Sequence, residues 1–349
     1  MNIHFLIPED INLLKGNYVY NKRIAEGLKA IGHQVIIQQL PDDFPFPSDT
    51  SLQQCRQIMG AIPQAEPVII DNLVFGVIPD ILKDFYLQKP IVALVHITLS
   101  ADPNLTAYQR EMVLSLEKKA QKYAKKFIVS SSYTANLLTA AGIEKNQINV
   151  IIPGVDNYPQ KKIYPGKPSK LLSIANFTRN KGYMTLMKAL TALKNKDWEL
   201  HCFGNLNFDK EYVDELQMMI RRNGLKEKVW LHGPVSGKEL SDVYLNADLF
   251  IHASNFETYG MAVADALAHG IPVITSTGGG ICETVPVKMG QFFNPGDVYV
   301  LQTIIEELLE NPQLYKTLYT EASTYHNQVH TWQKSLESFE LTLKEVTSL

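Results

Sequence analysis

Two hydrophobic rhythms alternate along the chain. Short, almost wholly apolar runs recur in the first part: "IHFLI" (3–7), "QVIIQ" (34–38), "PVIID" (67–71), "IVALV" (91–95), "KFIVS" (126–130) and "INVII" (148–152). Longer stretches with apolar residues every three or four positions lie near 17–31, 78–88, 104–124 and 132–141. Runs this short and β-branched predict strands buried on both faces of a parallel sheet. Helix-period segments between such strands predict βαβ units and a doubly wound sheet. "PGVDNYPQKKIYPGKPSK" (153–170) breaks the rhythm with proline and glycine and predicts a linker. The rhythm then restarts with "KLLSIA" (170–175), "ELHCF" (199–203), "KVWLH" (228–232), "DLFIHAS" (248–254), "PVIT" (272–275) and "QFF" (291–293). Two α/β domains are therefore predicted, over 1–155 and 156–327. An amphipathic helix, "TWQKSLESFELTLKEV" (331–346), follows within the remaining segment 328–349.

Bulk properties narrow the function only from outside. The 349 residues are enough for two domains, and a net charge of −3 argues against a general nucleic-acid binder. Cys55, Cys202 and Cys282 are too far apart in sequence to suggest a disulfide framework, so a reducing, cytoplasmic setting is expected. The opening "MNIHFLIPED" has no basic flank and too short an apolar run for a signal peptide. No run reaches the roughly 18 apolar residues of a membrane-spanning helix. Lys118, Lys119, Lys122, Lys125 and Lys126 form a basic face, either merely solvated or attracted to an anionic membrane surface.

Doubly wound sheets bind ligands beyond the carboxyl ends of their strands. Candidate chemistry should therefore lie in the loops that follow strands. "SNFETYGMAVADALAHG" follows "DLFIHAS" and places Gly260 at the start of a short helix. The first turn, Thr258, Tyr259, Gly260, Met261 and Ala262, offers backbone N–H groups suited to a phosphate. Glu257 just ahead can accept hydrogen bonds from hydroxyls, and Asp265 within the helix can accept them from a ribose diol. The alternative is that Glu257 caps the helix and Asp265 is a solvated acid. "ANFTRNKG" follows another strand, and Arg179 and Lys181 there suit a diphosphate or are solvated cations. Gly16 and Asn17 precede the first helix. His96 and, more weakly, Asp102 follow "IVALV". The loop near Gly233 to Val235 follows "KVWLH".

The run "ASNFETYGMAVADALAHGIPVITSTGGGICETV" resembles the acid–helix–glycine signature of retaining glycosyltransferases of family 4, the glycosyl transferases group 1, which have the GT-B fold. That resemblance implies two Rossmann-like domains facing across a cleft, with the terminal helix crossing back to the first. It implies an enzyme that moves a sugar from a nucleotide diphosphate sugar, most often UDP-linked, to an acceptor hydroxyl. The family's Glu-x7-Glu reads Glu257-x7-Asp265 here. By resemblance Glu257 contacts the donor sugar and Asp265 the ribose. Lys181 matches the lysine that neutralises the departing diphosphate, while the accompanying arginine position holds Asn176, leaving Arg179 nearby. Gly16-Asn17 is similar to the glycine-rich first loop, with one glycine where the family often has two. His96 matches the histidine beside the reacting sugar, and the loop at Val235 the one under the base.

No Asp-x-Asp run suggests a metal, so cations and a helix N-terminus are expected to hold the diphosphate. No metal and no resident cofactor are expected. The acceptor would be a glycan, a lipid-linked sugar or a small metabolite; oligomeric state is unread. The triple glycine at 278–280 is no dinucleotide fingerprint, since it does not follow the first strand. A sugar-nucleotide epimerase or hydrolase, or a binding subunit without turnover, shares the fold and stays open as an alternative.

Overall fold

A computed structural model describes residues 1–12, 16–103, 105–161 and 164–348. It divides into two units, Met1–Gly154 with Trp332–Leu349, and Val155–Thr331. The second unit thus runs four residues further than the sequence suggests, and the final helix belongs to the first unit.

The first unit carries strands β1 (Asn2–Pro8), β2 (Gln34–Leu40), β3 (Val68–Asp71), β4 (Ile91–Val95), β5 (Lys126–Val129) and β6 (Ile148–Val150). Around them lie helices α1 (Gly16–Ala30), α2 (Asp49–Ala61), α3 (Asn72–Phe75), α4 (Pro79–Phe85), α5 (Ala107–Ala120) and α6 (Ser132–Ala140). The second unit carries β7 (Lys170–Ile174), β8 (Glu199–Phe203), β9 (Val229–His232), β10 (Leu249–His252), β11 (Val273–Ser276) and β12 (Gly290–Phe293). Its helices are α7 (Tyr183–Ala192), α8 (Lys210–Arg222), α9 (Gly237–Asn246), α10 (Met261–Ala268), α11 (Val298–Glu310) and α12 (Pro312–Tyr325), and α13 (Trp332–Thr347) returns to the first unit.

Both sheets are six-stranded, and their neighbouring strands run parallel. The first is ordered β2-β1-β3-β4-β5-β6 and the second β12-β11-β10-β7-β8-β9. Each order reverses once, between β1 and β3 in the first sheet and between β7 and β10 in the second. Loops leaving the two strands at such a reversal diverge to opposite faces and open a crevice where ligands bind.

Of the runs read as strands, the central ones are buried on both faces: β3, β4, β10 and β11 are buried at every position, whereas the edge strand β6 is not. Helix α2 was not predicted. It buries Ser51, Cys55 and Met59, and Leu52 and Ile58 pack partly buried beside them. Ser48 caps its start by accepting the Ser51 N–H. Of the five lysines on the basic face, two hold α13: Lys125 Nζ donates to the Val346 carbonyl at 3.4 Å, and Lys126 Nζ pairs with Glu345 at 3.1 Å.

The proline-rich segment is more than a spacer. Residues 155–161 are strapped to the second unit, and residues 162–163 of the predicted linker lie outside the described residues. Lys161 Nζ reaches the Asp248 carboxylate at 2.7 Å, with both side chains nearly buried. The other carboxylate oxygen accepts the Ser169 and Lys170 N–H groups at 3.0 and 2.9 Å. One buried acid therefore ties both ends of the strap to the start of β10. An acid of this kind is tolerated only with its partners present. Asp248→Ala should cost about 3–5 kcal/mol of stability in urea unfolding, because Lys161 is left as an unpaired buried cation. A loss below about 1 kcal/mol would show that the strap is held by something else.

Candidate active site

The order reversal of the second sheet brings together the loops after β7 and β10. Lys181 ends the first of these and Glu257 lies in the second, and Lys181 Nζ donates to Glu257 Oε1 at 2.5 Å. The same oxygen accepts from Ser254 Oγ at 2.9 Å and lies 2.9 Å from His252 Nε2. His252 ends β10 and, like Ser254, is buried. Burial by itself pushes the Glu257 carboxyl up. The Lys181 charge and the His252 hydrogen bond outweigh it and hold the carboxyl far below the usual carboxylate range. Glu257 is consequently an anion at neutral pH and no proton donor.

The backbone fixes this acid as firmly as its side-chain partners do. The two loops are cross-linked by Asn255 N–H to the Asn180 carbonyl at 2.7 Å and Asn180 Nδ2 to the Phe256 carbonyl at 3.0 Å. They approach so closely that a Cβ on Gly182 would meet the Ala253 carbonyl oxygen at 1.8 Å, and its φ of 68° is left-handed. On the far side, Glu257 N–H donates to the Gly278 carbonyl at 3.0 Å, and Gly280 N–H to the Glu257 carbonyl at 2.7 Å. A Cβ on Gly279 would lie 2.2 Å from that carbonyl oxygen, with φ at 80°. The triple glycine is thus a backbone cradle for Glu257.

Glu257 does not cap α10. Gly260 is the N-cap, without a side-chain hydrogen bond. Val263 is the first residue whose N–H returns to Gly260, so Met261 and Ala262 form the leading turn. Tyr244 Oη donates to the Ala262 carbonyl at 2.9 Å, and Thr284 Oγ1 to the Tyr259 carbonyl, which hold this turn from behind. Thr258 is half-buried, and Asp265 is half-buried on the next turn.

Arg179 stands elsewhere. Its guanidinium forms a two-pronged pair with Glu215 on α8, at 2.9 and 2.7 Å, over the face of Tyr212. Lys181, on the same turn, is the cation delivered to Glu257. Asn176 Oδ1 accepts the Asn205 N–H at 3.2 Å. Val235 lies half-buried between β9 and α9.

In the first unit, Gly16 opens α1, and Asn17 follows it. Residues 13–15 of that loop lie outside the described residues. His96 follows β4 directly, with Nε2 at 2.9 Å from Asn21 Oδ1 on α1. Burial depresses its pKa, and the Asp71 charge opposes that shift. Asp102 ends the short turn after His96; its carbonyl accepts from Arg110 Nη2 at 2.9 Å. Asn104 lies outside the described residues. His252, Ser254, Asn21 and Asp71 were not predicted from sequence. The only signal for the first two was their place at the carboxyl end of β10.

His269 anchors α10 from its carboxyl end. Its ring is sandwiched between Tyr158 of the strap and Tyr244, with centroids at 4.2 and 4.7 Å. Nδ1 donates to the Asp265 carbonyl at 2.7 Å, and Nε2 lies 3.0 Å from Ser241 Oγ. Burial lowers its pKa to about 4, and the Asp265 carbonyl opposes this. The unfolded histidine titrates near about 6.5, so in that window the unfolded chain binds more protons. Stability from this group is complete above pH ~6.5 and is lost as pH falls toward ~4, by on the order of 3 kcal/mol. His269→Gln should flatten that part of the stability–pH curve; equal slopes for both proteins would contradict the assignment.

Comparison with known proteins finds similarity in sequence and in fold. Over 216 residues, or 56% of its length, the chain is 26% identical to mannosylfructose-phosphate synthase of Agrobacterium fabrum, of which it spans 47%. It is 23% identical to the MMP alpha-(1->4)-mannosyltransferase of Mycolicibacterium hassiacum, over 83% of this chain and 73% of that one. The chain spans about half the length or less of several of the curated relatives it matches. The structure of Anabaena HepE in complex with UDP and glucose superposes with a TM-score of 0.78 over 99% of this chain and 100% of that one, at 19% identity. The fold is therefore GT-B. Residues 154–324, which contain Lys181, Glu257 and Asp265, match the family model Glycosyl transferases group 1.

Proposed function

We propose that the protein is a retaining, metal-independent glycosyltransferase that moves a sugar from a nucleotide diphosphate sugar to an acceptor hydroxyl. The observation that carries this reading is the Lys181–Glu257 pair at the sheet's order reversal, set ahead of the leading turn of α10. An ammonium has three donors and Lys181 spends one on Glu257, so two remain for a diphosphate. The leading turn at Gly260, Met261 and Ala262 adds N–H groups and the positive end of the helix dipole. Together they stabilise the leaving diphosphate without calling on a metal. Asp265 takes the ribose, and the loop at Val235 lies under the base.

Glu257 accepts sugar hydroxyls and offsets positive charge that develops on the sugar. Its depressed pKa makes it a poor general acid. The acceptor proton therefore passes to the leaving phosphate oxygen, and attack occurs on the face that the diphosphate leaves. His96 offers its imidazole to a sugar hydroxyl. UDP is the favoured nucleotide, since HepE holds UDP and glucose in the same fold.

The acceptor is a glycan, a lipid-linked sugar or a small hydroxylated metabolite. Tyr108 and Met112 are exposed on α5, as are Lys118 and Lys119, a surface suited to the anionic face of a membrane from the cytoplasm. No helix among the described residues is long and apolar enough to cross one.

Glu257→Ala should lower transfer at least about a hundredfold while nucleotide binding persists. Lys181→Ala should weaken UDP-sugar and UDP binding by roughly tenfold or more and leave uridine binding unchanged. Initial rates with EDTA, and the product's anomeric configuration by NMR, check metal independence and retention. Two variants that turn over like the wild type would refute the site.

A further inference from the structure

The polar chain behind His96 fixes more than its position. Asp71, the last residue of β3, is 2% exposed. Its Oδ1 accepts the Leu73 N–H at 3.0 Å and so caps α3, and its Oδ2 accepts from Asn21 Nδ2 at 2.9 Å. Asn21 is fully buried on α1, and its Oδ1 lies 2.9 Å from His96 Nε2. Tyr20 meets the imidazole edge-on, with centroids 5.2 Å apart, and Asn72 Nδ2 holds the next carbonyl, that of Ile97, at 2.6 Å.

Each bond in this chain dictates the next. An ionised carboxylate offers only acceptors, so Asn21 must turn its amide nitrogen to Asp71. The amide oxygen is then the atom left for His96. A carbonyl oxygen has no proton to give, so His96 Nε2 must carry the hydrogen. Nδ1 is left as a bare lone pair, and it has no hydrogen-bond partner among the described residues.

We propose that Asp71 and Asn21 are positioning residues that lock His96 in its Nε2–H tautomer, so that Nδ1 accepts a hydrogen bond from a sugar hydroxyl. The hydroxyl ligand rests on the transferase reading; the tautomer lock does not. An imidazole held this way selects a ligand that brings its own O–H and disfavours carbonyl or anionic groups at that spot. The loop after β4 is thereby specified for a neutral polyol, although no residue of the lock touches the ligand except His96.

The test is a change of one atom. In Asp71→Asn, the new Oδ1 still caps α3, but the new NH2 faces Asn21. Two facing NH2 groups clash electrostatically, so Asn21 turns over and presents its NH2 to His96. Nε2 must then accept, and the proton moves to Nδ1. Nitrogen-15 correlation spectra of the histidine rings, assigned with His96→Gln, read this directly at neutral pH. The wild type is expected to show protonated Nε2 and bare Nδ1, and Asp71→Asn the reverse. Transfer kcat/KM should fall about 10- to 100-fold in Asp71→Asn, while UDP affinity stays unchanged.

A wild-type His96 protonated on Nδ1, or on both nitrogens, would overturn the lock without any variant. A switched tautomer with wild-type kcat/KM would overturn the assigned role toward the sugar hydroxyl. Failure of the transferase reading would look different: the wild type would transfer no sugar from any nucleotide sugar, whatever the His96 spectrum shows.

Discussion

The second unit is organised around a single carboxylate that has to be charged while mostly enclosed. Removing a carboxylate from water is expensive unless it is paired and hydrogen-bonded. Glu257 meets that demand with Lys181 from the loop after β7, His252 from the end of β10 and Ser254 from its own loop. Converging three donors on one oxygen forces two loops into backbone contact. That contact in turn explains why residue 182 has no Cβ, and the approach of the loop after β11 to the Asn255 and Glu257 carbonyls explains the glycines at 278 and 279. The glycines are consequences of where the charge sits.

The first unit applies the same logic to a neutral group. Its sheet also reverses order, between β1 and β3, and the polar residues again come from strands near that reversal and from the helix beside it. Asp71 ends β3, His96 follows β4, and Asn21 of α1 joins them. The second unit builds an anion next to a cation, suited to a charged leaving group. The first builds a lone pair, suited to a hydroxyl. The two sites thus differ in the kind of chemistry they can offer, and each is fixed by hydrogen bonds whose directions are not interchangeable.

The sheets were legible in the sequence because parallel strands are buried on both faces, and continuous apolar runs such as Ile91–Val95 have few other uses. Helix α2 was not, because its apolar stripe of Leu52, Cys55, Ile58 and Met59 is short and set among polar residues. Within the site, Glu257 and Asp265 stand in one contiguous run and Lys181 in a separate strand–helix turn, so each could be singled out from its local sequence. His252 and Ser254 were hidden, since both belong to a run that reads as an ordinary strand. Asn21, Asp71 and Asp248 are single polar residues at points remote in sequence from their partners, and only the fold brings them together. The role of the triple glycine was equally invisible, because it depends on a backbone approach from residues twenty positions earlier.

The proposed nucleoside diphosphate site at the reversal point between β7 and β10 works with protein cations alone. Calorimetric titration of the wild-type protein with UDP, GDP, ADP, uridine and UMP, all in EDTA, tests it most directly. One nucleoside diphosphate is expected to bind well above the others, with UDP ahead of UMP and uridine far behind, and no dependence on added Mg²⁺. Binding that appears only with Mg²⁺, or uridine bound as tightly as UDP, would contradict it.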